Sequence, residues 1–278
     1  MKSVLPDQAY LPTHKDTVST LRLLGFQSAF VGGVACRLFG NTRDPADIDI
    51  VVLDNSYSQE SMKAMLVGQN DKFYLVRSKN PYATYRVLWY RLSSYRSCKV
   101  DLLQPGVMNI PTVDASRIKT IDGIPVMPFS VVLLLKLQAW SDHRVALKSY
   151  LRVKQHTDVA DILRLLPIAK TRKVKPREDS WLPSSFITAA EGRVTSFVTN
   201  FPASGEGWKA LGFDVPSARA PRALLASASA QYQTSLRVGI SGRAPGPSSS
   251  ISTTPRNPSS RSYGWTYRDP KPLMYDSD

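Results

Sequence analysis

The run DIDIVVL at 47–53 constrains the fold of this chain more than any other stretch. Asp and Ile alternate over its first four residues and the remainder is wholly apolar, the pattern of a strand that enters a covered sheet from an exposed end. Side chains alternate faces along a strand, so Asp47 and Asp49 share one face, roughly 6–7 Å apart along the chain. That spacing suits hard cations shared between carboxylates. Asp-x-Asp recurs by chance in many sequences, so its surroundings decide its weight.

Upstream, SAFV (28–31) has the character of a short strand, ends at Gly32-Gly33, and gives way to VACRLFG, a compact helix closed by Gly40-Asn41. Strand, glycine turn and helix follow in that order. Glycine lets backbone amides approach a phosphate closely, and a helix amino terminus adds partial positive charge at the same place. Gly32 and Gly33 are therefore candidate phosphate-holding residues. Arg37, one helical turn after Gly33, and Arg43, four residues before Asp47, are candidate charge-assisted donors to triphosphate oxygens; a solvent-exposed arginine is the alternative for each. Asp101 stands alone among apolar neighbours in CKVDLL. A third metal-site carboxylate, which also helps deprotonate an attacking hydroxyl, accounts for it better than a buried ion pair does.

The first 166 residues alternate helix and strand signals. A helix is predicted over 15–24 with Gly25 as its cap, another over 57–67, and strands at 73–76, 85–92 and 99–104. After a short strand and turn in IDGIPVMPFS come a buried helix at 131–140, a second beginning at 153–166, a basic loop at 170–179, and an amphipathic stretch at 182–201. An α+β fold follows, with residues 1–125 as a catalytic core and 126–215 as a helical subdomain. Residues 216–278 are rich in Ser, Pro, Gly and Arg and lack apolar periodicity, so a disordered basic tail is predicted there, its aromatic cluster Tyr263, Trp265 and Tyr267 notwithstanding.

The net charge of +14 suggests an anionic partner, but residues 216–278 alone hold 8 Lys/Arg against 3 Asp/Glu. The folded part is only moderately basic. Cys36 and Cys98 lie far apart in apolar surroundings, which argues against a disulfide framework or a zinc site and for an intracellular chain, cytoplasmic or nuclear. No signal peptide or membrane span is predicted, since the longest apolar run, 126–137, is interrupted and short. His143 and His156 have no partner spacing for a metal or a catalytic triad and are assigned to the surface or the edge of the core. Trp140, Tyr150, Tyr85, Trp89 and Tyr90 are aromatic enough to stack a base, although their spacing reads first as packing.

VGGVACRLFGNTRDPADIDIVVL followed by KVDLL resembles the DNA polymerase β-type nucleotidyltransferase superfamily: an apolar residue before a glycine pair, a spacer, Asp-x-Asp, and a lone carboxylate on a later strand. The resemblance covers about residues 13–166. LLLKLQAW and HRVALKSYLRVKQHTDVADI lean it toward the minimal and AbiEii toxin-like members. It implies the nucleotidyltransferase fold, a mixed sheet flanked by helices. It further implies that Gly32 and Gly33 hold phosphate and that Asp47, Asp49 and Asp101 bind two Mg²⁺ ions, with Mn²⁺ admissible. Lys136 and Asp158 join the nucleotide site by the same resemblance, whereas Lys154 departs from the family's block, in which Lys directly precedes Asp. For Lys136 a snorkelling lysine on a buried helix is the alternative.

The activity so implied is transfer of an NMP from a nucleoside triphosphate to an acceptor hydroxyl with release of pyrophosphate. RNA, tRNA included, is preferred as acceptor over protein or a small molecule; no membrane partner is predicted, and oligomeric state is left open. The alternative is a catalytically inactive nucleotide- or RNA-binding module on the same fold. A metal-dependent phosphohydrolase would want histidines among the carboxylates, and the sequence places none there.

Overall fold

The computed structural model describes residues 7–215, with side chains from residue 13 onward. The predicted tail at 216–278 lies outside the described residues. Seven strands form one mixed sheet: β1 (Ser28–Phe30), β2 (Asp47–Val52), β3 (Phe73–Arg77), β4 (Arg86–Ser93), β5 (Arg96–Leu103), β6 (Lys119–Ile121) and β7 (Ile124–Val126). Their spatial order is β3-β4-β5-β2-β1-β7-β6. The β2/β5 and β1/β7 pairs are parallel and the other four antiparallel. Seven α-helices accompany them among the described residues: α1 (Asp7–Leu23), α2 (Gly32–Phe39), α3 (Gln59–Gln69), α4 (Phe129–Arg144), α5 (Ser149–Thr171), α6 (Ser184–Asn200) and α7 (Gly205–Ala210). The expected α+β architecture is what the chain adopts. No helix among the described residues is long and apolar enough to cross a membrane.

The alternation in β2 divides the interior. Ile48, Ile50 and Val52 join Leu21, Phe26, Met62, Leu66, Phe73 and Leu88 in an apolar layer between the sheet and α1 and α3. Val51 joins the second layer, where Leu133, Leu137, Trp140, Leu165, Val194, Phe197 and Trp208 pack the later helices. Asp47 and Asp49 point to that second side, beyond the edge of its apolar packing. Trp140 is wholly interior, edge-on to Phe197 at 4.8 Å between ring centroids, so of its two readings the structure realises packing.

Element boundaries differ from the expectations where polar residues are buried. α1 begins at Asp7, well before residue 15, and runs through Pro12; within it Thr17 and Thr20 return their hydroxyls to the carbonyls of Thr13 and Asp16, at 2.8 Å each. Self-satisfied hydroxyls enter the core without adding to an apolar period. α5 runs through Pro167 to Thr171, so the basic loop expected at 170–179 starts inside a helix. IDGIPVMPFS forms the turn and second strand of a hairpin, with Asp122 and Gly123 both at positive φ (52° and 78°) between β6 and β7. The α7 turn carried no signal in the sequence.

Candidate active site

Parallel pairing sets Asp47 beside Lys99 and Asp49 beside Asp101, on the same face of β2 and β5. One oxygen from each of Asp47, Asp49 and Asp101 lies within 4.8 Å of the others. This is the kind of group that hard divalent cations take: all donors are carboxylate oxygens and all three are half-buried. Among the described residues no second group of three His, Cys, Asp or Glu side chains comes together in this way.

The glycine turn is built against these carboxylates. The Val31 amide donates to the Asp49 carbonyl at 3.0 Å, drawing the end of β1 onto β2. Gly32 follows at φ +58°, and a Cβ there would overlap the Asp49 carboxylate itself. A Cβ on Gly33 would stand 2.7 Å from Pro45 Cβ and 3.2 Å from an Arg43 guanidinium nitrogen. Both glycines are therefore steric necessities. The first turn of α2 carries no acidic residue and no side-chain cap, so its amino terminus keeps its partial positive charge next to Gly32, which abuts Asp49.

Crowding shifts the acids upward. Burial, and then repulsion from Asp47 and Asp101, push Asp49 up to about 7. Burial raises Asp101 as well, tempered by the Lys99 ammonium 3.0 Å from its Oδ2. Burial would lower Lys99, but Asp101 holds it above the usual lysine range. Lys154, on α5, is lowered by burial despite the attraction of Asp47. Two lysines thus face three carboxylates. Lys99 has no place in the family pattern and escaped the sequence reading; its signal was the two-residue spacing to Asp101, which puts both on one face of β5. Lys154, which departs from the family's block, stands in the site.

A second polar network backs the first. Lys136 Nζ lies 3.2 Å from Asp158 and 3.5 Å from Asp161, and His143 Nδ1 lies 2.6 Å from the other Asp158 oxygen. Asp161, fully buried, accepts from Arg43 Nε at 3.0 Å, from Arg43 Nη2 at 2.8 Å and from Asn41 at 2.8 Å. Burial opposes its charge, but the Arg43 fork holds its carboxyl below the usual range. Lys136, against its own burial, is held far above the ordinary lysine value by Asp158. Lys136 and Asp158 therefore satisfy each other. His143, expected at the surface or the core edge, is buried within this network because Asp158 recruits it from the next helix, a pairing that spacing within one helix does not reveal. His156 is exposed.

A cavity of about 630 Å³ opens over these groups. Gly32, Gly33, Arg43, Asp47, Asp49, Lys136 and Asp158 all contribute to its wall, as do Lys99, Lys154 and Trp89. Asp101 is not part of the wall; its carboxylate, 3.0 Å from Lys99 Nζ, adjoins those of Asp47 and Asp49. Arg37 is not part of the wall: its guanidinium is held by Asp44 at 3.4 Å and by the Asn41 carbonyl at 3.3 Å. Tyr90 faces the opposite apolar layer, whereas Trp89, one residue earlier, faces the cavity.

The chain has a nucleotidyltransferase-like fold. Among solved structures it is similar to an antigenic nucleotidyltransferase-like protein from Paracoccidioides brasiliensis, with a TM-score of 0.55 and 18% sequence identity over 75% of this chain and 95% of that one. At that identity the likeness is one of fold. No protein-family model and no curated protein matches the sequence.

Proposed function

We propose that this protein is a metal-dependent nucleotidyltransferase that moves an NMP from a nucleoside triphosphate to an acceptor hydroxyl and releases pyrophosphate. The observation that carries the reading is the convergence of Asp47, Asp49 and Asp101 beside a glycine turn that only glycine fits. The donor set fits Mg²⁺, with Mn²⁺ as a substitute, and two such ions held by these carboxylates supply charge stabilisation to the attacking and leaving oxygens. Gly32, Gly33 and the amides of α2 receive the β,γ-phosphates, and Arg43, fixed in the cavity wall by Asp161, supplies a guanidinium to them.

Asp101, on β5 between β4 and β2, takes the proton from the incoming hydroxyl. That oxygen forms a bond to the α-phosphorus while the bond from the α-phosphorus to the bridging oxygen breaks, and pyrophosphate departs. RNA is the preferred acceptor, supported by the moderately basic balance of the folded part. Lys136 and Asp158 act by holding the Arg43–Asp161 pair in place. The toxin-like leaning rests on the Lys136 block and on the 143–162 block alone.

The test is incubation of the purified protein with α-labelled NTPs, Mg²⁺ and total cellular RNA. Label is expected to pass to RNA, and to vanish in the Asp47→Asn/Asp49→Asn double variant. Absence of both labelling and NTP binding would overturn the reading.

A further inference from the structure

The carboxylates lie at one end of a row that crosses four strands. Asp47 pairs with Lys99, Lys99 with Trp89, and Trp89 with Tyr74, all on the same sheet face. Strands are spaced about 4.8 Å apart, so Trp89 stands roughly 10 Å from Asp47 and Tyr74 one spacing further. The neighbouring row places Val87 beside Val76. On the reverse side Phe73, Leu88, Tyr90 and Val100 are buried against α1 and α3, but on this side Tyr74, Val87 and Trp89 are half-buried and Val76 and Arg91 exposed.

The face combines aromatic planes with cations. The Arg91 guanidinium sits over the Tyr74 ring at 5.4 Å, and the Tyr74 hydroxyl is fixed by a 2.7 Å bond to Ser97. Arg77 and Lys79, both exposed, border the same cavity that Trp89 and Val76 line. Flat apolar surface interleaved with arginine and lysine, continuous with a site for hydroxyl chemistry, matches one occupant best: bases supply faces to stack and phosphates supply the charge.

We propose that the open face of β3, β4 and β5 is the acceptor platform, and that it takes the single-stranded end of a polynucleotide. A base near the end stacks on Trp89, the backbone meets Arg77, Lys79 and Arg91, and the terminal hydroxyl reaches the carboxylates. This rests on the nucleotidyltransferase reading for the meaning of the hydroxyl, but binding itself does not require turnover.

The experiment measures binding of a fluorescein-labelled single-stranded RNA 12-mer, and of the same strand in a blunt duplex, to the full chain in EDTA at two salt concentrations. ATP·Mg²⁺ binding is measured on the same preparation. Single-strand binding is expected to weaken with salt, to exceed duplex binding about tenfold, and to quench tryptophan emission. Trp89→Ala is expected to weaken it about fivefold or more and to abolish most of the quenching. The exposed pair Arg77→Glu/Arg91→Glu, which leaves the interior untouched, is expected to weaken it at least as much and to flatten the salt slope. Equal binding of strand and duplex, unchanged affinity in both variants, or no RNA binding alongside NMP transfer to a protein hydroxyl would each overturn the platform. RNA binding without ATP·Mg²⁺ binding would leave the platform standing and remove the catalytic reading instead.

Discussion

Gly32 decides how near Asp49 comes to the helix that follows it. An added methyl there collides with the carboxylate and must also adopt a left-handed backbone, a strain of about 1–2 kcal/mol for a non-glycine residue. Gly25 offers the matching control, at φ +84° with open space around it. Gly32→Ala is expected to lower Mn²⁺ affinity about tenfold or more, read by electron paramagnetic resonance titration, and to lower Tm by several degrees. Gly25→Ala is expected to lower Tm alone. Equal Mn²⁺ affinity in the two variants would show that the glycine turn does not shape the metal site. Asp161 is the other residue on which placement depends. Asp161→Asn keeps the volume but removes the charge that grips the Arg43 fork, so NTP binding measured by calorimetry is expected to weaken about tenfold with Mn²⁺ affinity unchanged.

At the scale of elements, α5 works as a single stripe. Lys154, Asp158 and Asp161 recur at helical intervals of four and three residues and project from one side of the helix toward the cavity or the polar network beneath it. Because Asp158 balances the buried Lys136, removing it leaves that ammonium with only its longer contact to Asp161, a loss of up to about 3 kcal/mol. Asp158→Ala should therefore show a large loss in urea unfolding, and the Lys136→Met/Asp158→Ala double variant should recover a good part of it. Additive losses in that cycle would mean that the pair is not coupled. The sequence disclosed this stripe only in part. DIDIVVL and the glycine pair were legible because strand alternation and turn chemistry are local. Asp158 was legible only through a family resemblance, while Asp161 and His143 acquire their roles from partners 118 and 15 residues away, at Arg43 and Asp158. Lys99 was visible in principle, since β5 alternates as β2 does. The early start of α1 was not, because Pro12 lies within it and a proline there reads as a helix boundary.

For the molecule as a whole, the site is where like charges are gathered at the expense of stability. Asp49 has its folded pKa raised to about 7 by burial and by Asp47 and Asp101, well above the ordinary aspartate value of 3.8. An acid raised on folding binds more protons in the native state than in the unfolded state over that interval. Stability without metal therefore falls as pH rises from about 4 through 7, the reverse of an aspartate held low by a salt bridge. Bound divalent cations invert the preference, because they require the deprotonated carboxylates and attach to the native state alone. The expectation is a Tm that declines between pH 5 and 8 in EDTA and declines less, or rises, in millimolar Mg²⁺, with the gap between the two curves widening toward high pH. In Asp49→Asn the decline in EDTA should shrink and the gap nearly close. Parallel curves in EDTA and Mg²⁺ across this range, measured by differential scanning calorimetry, would mean that the three carboxylates do not act together as a cation site.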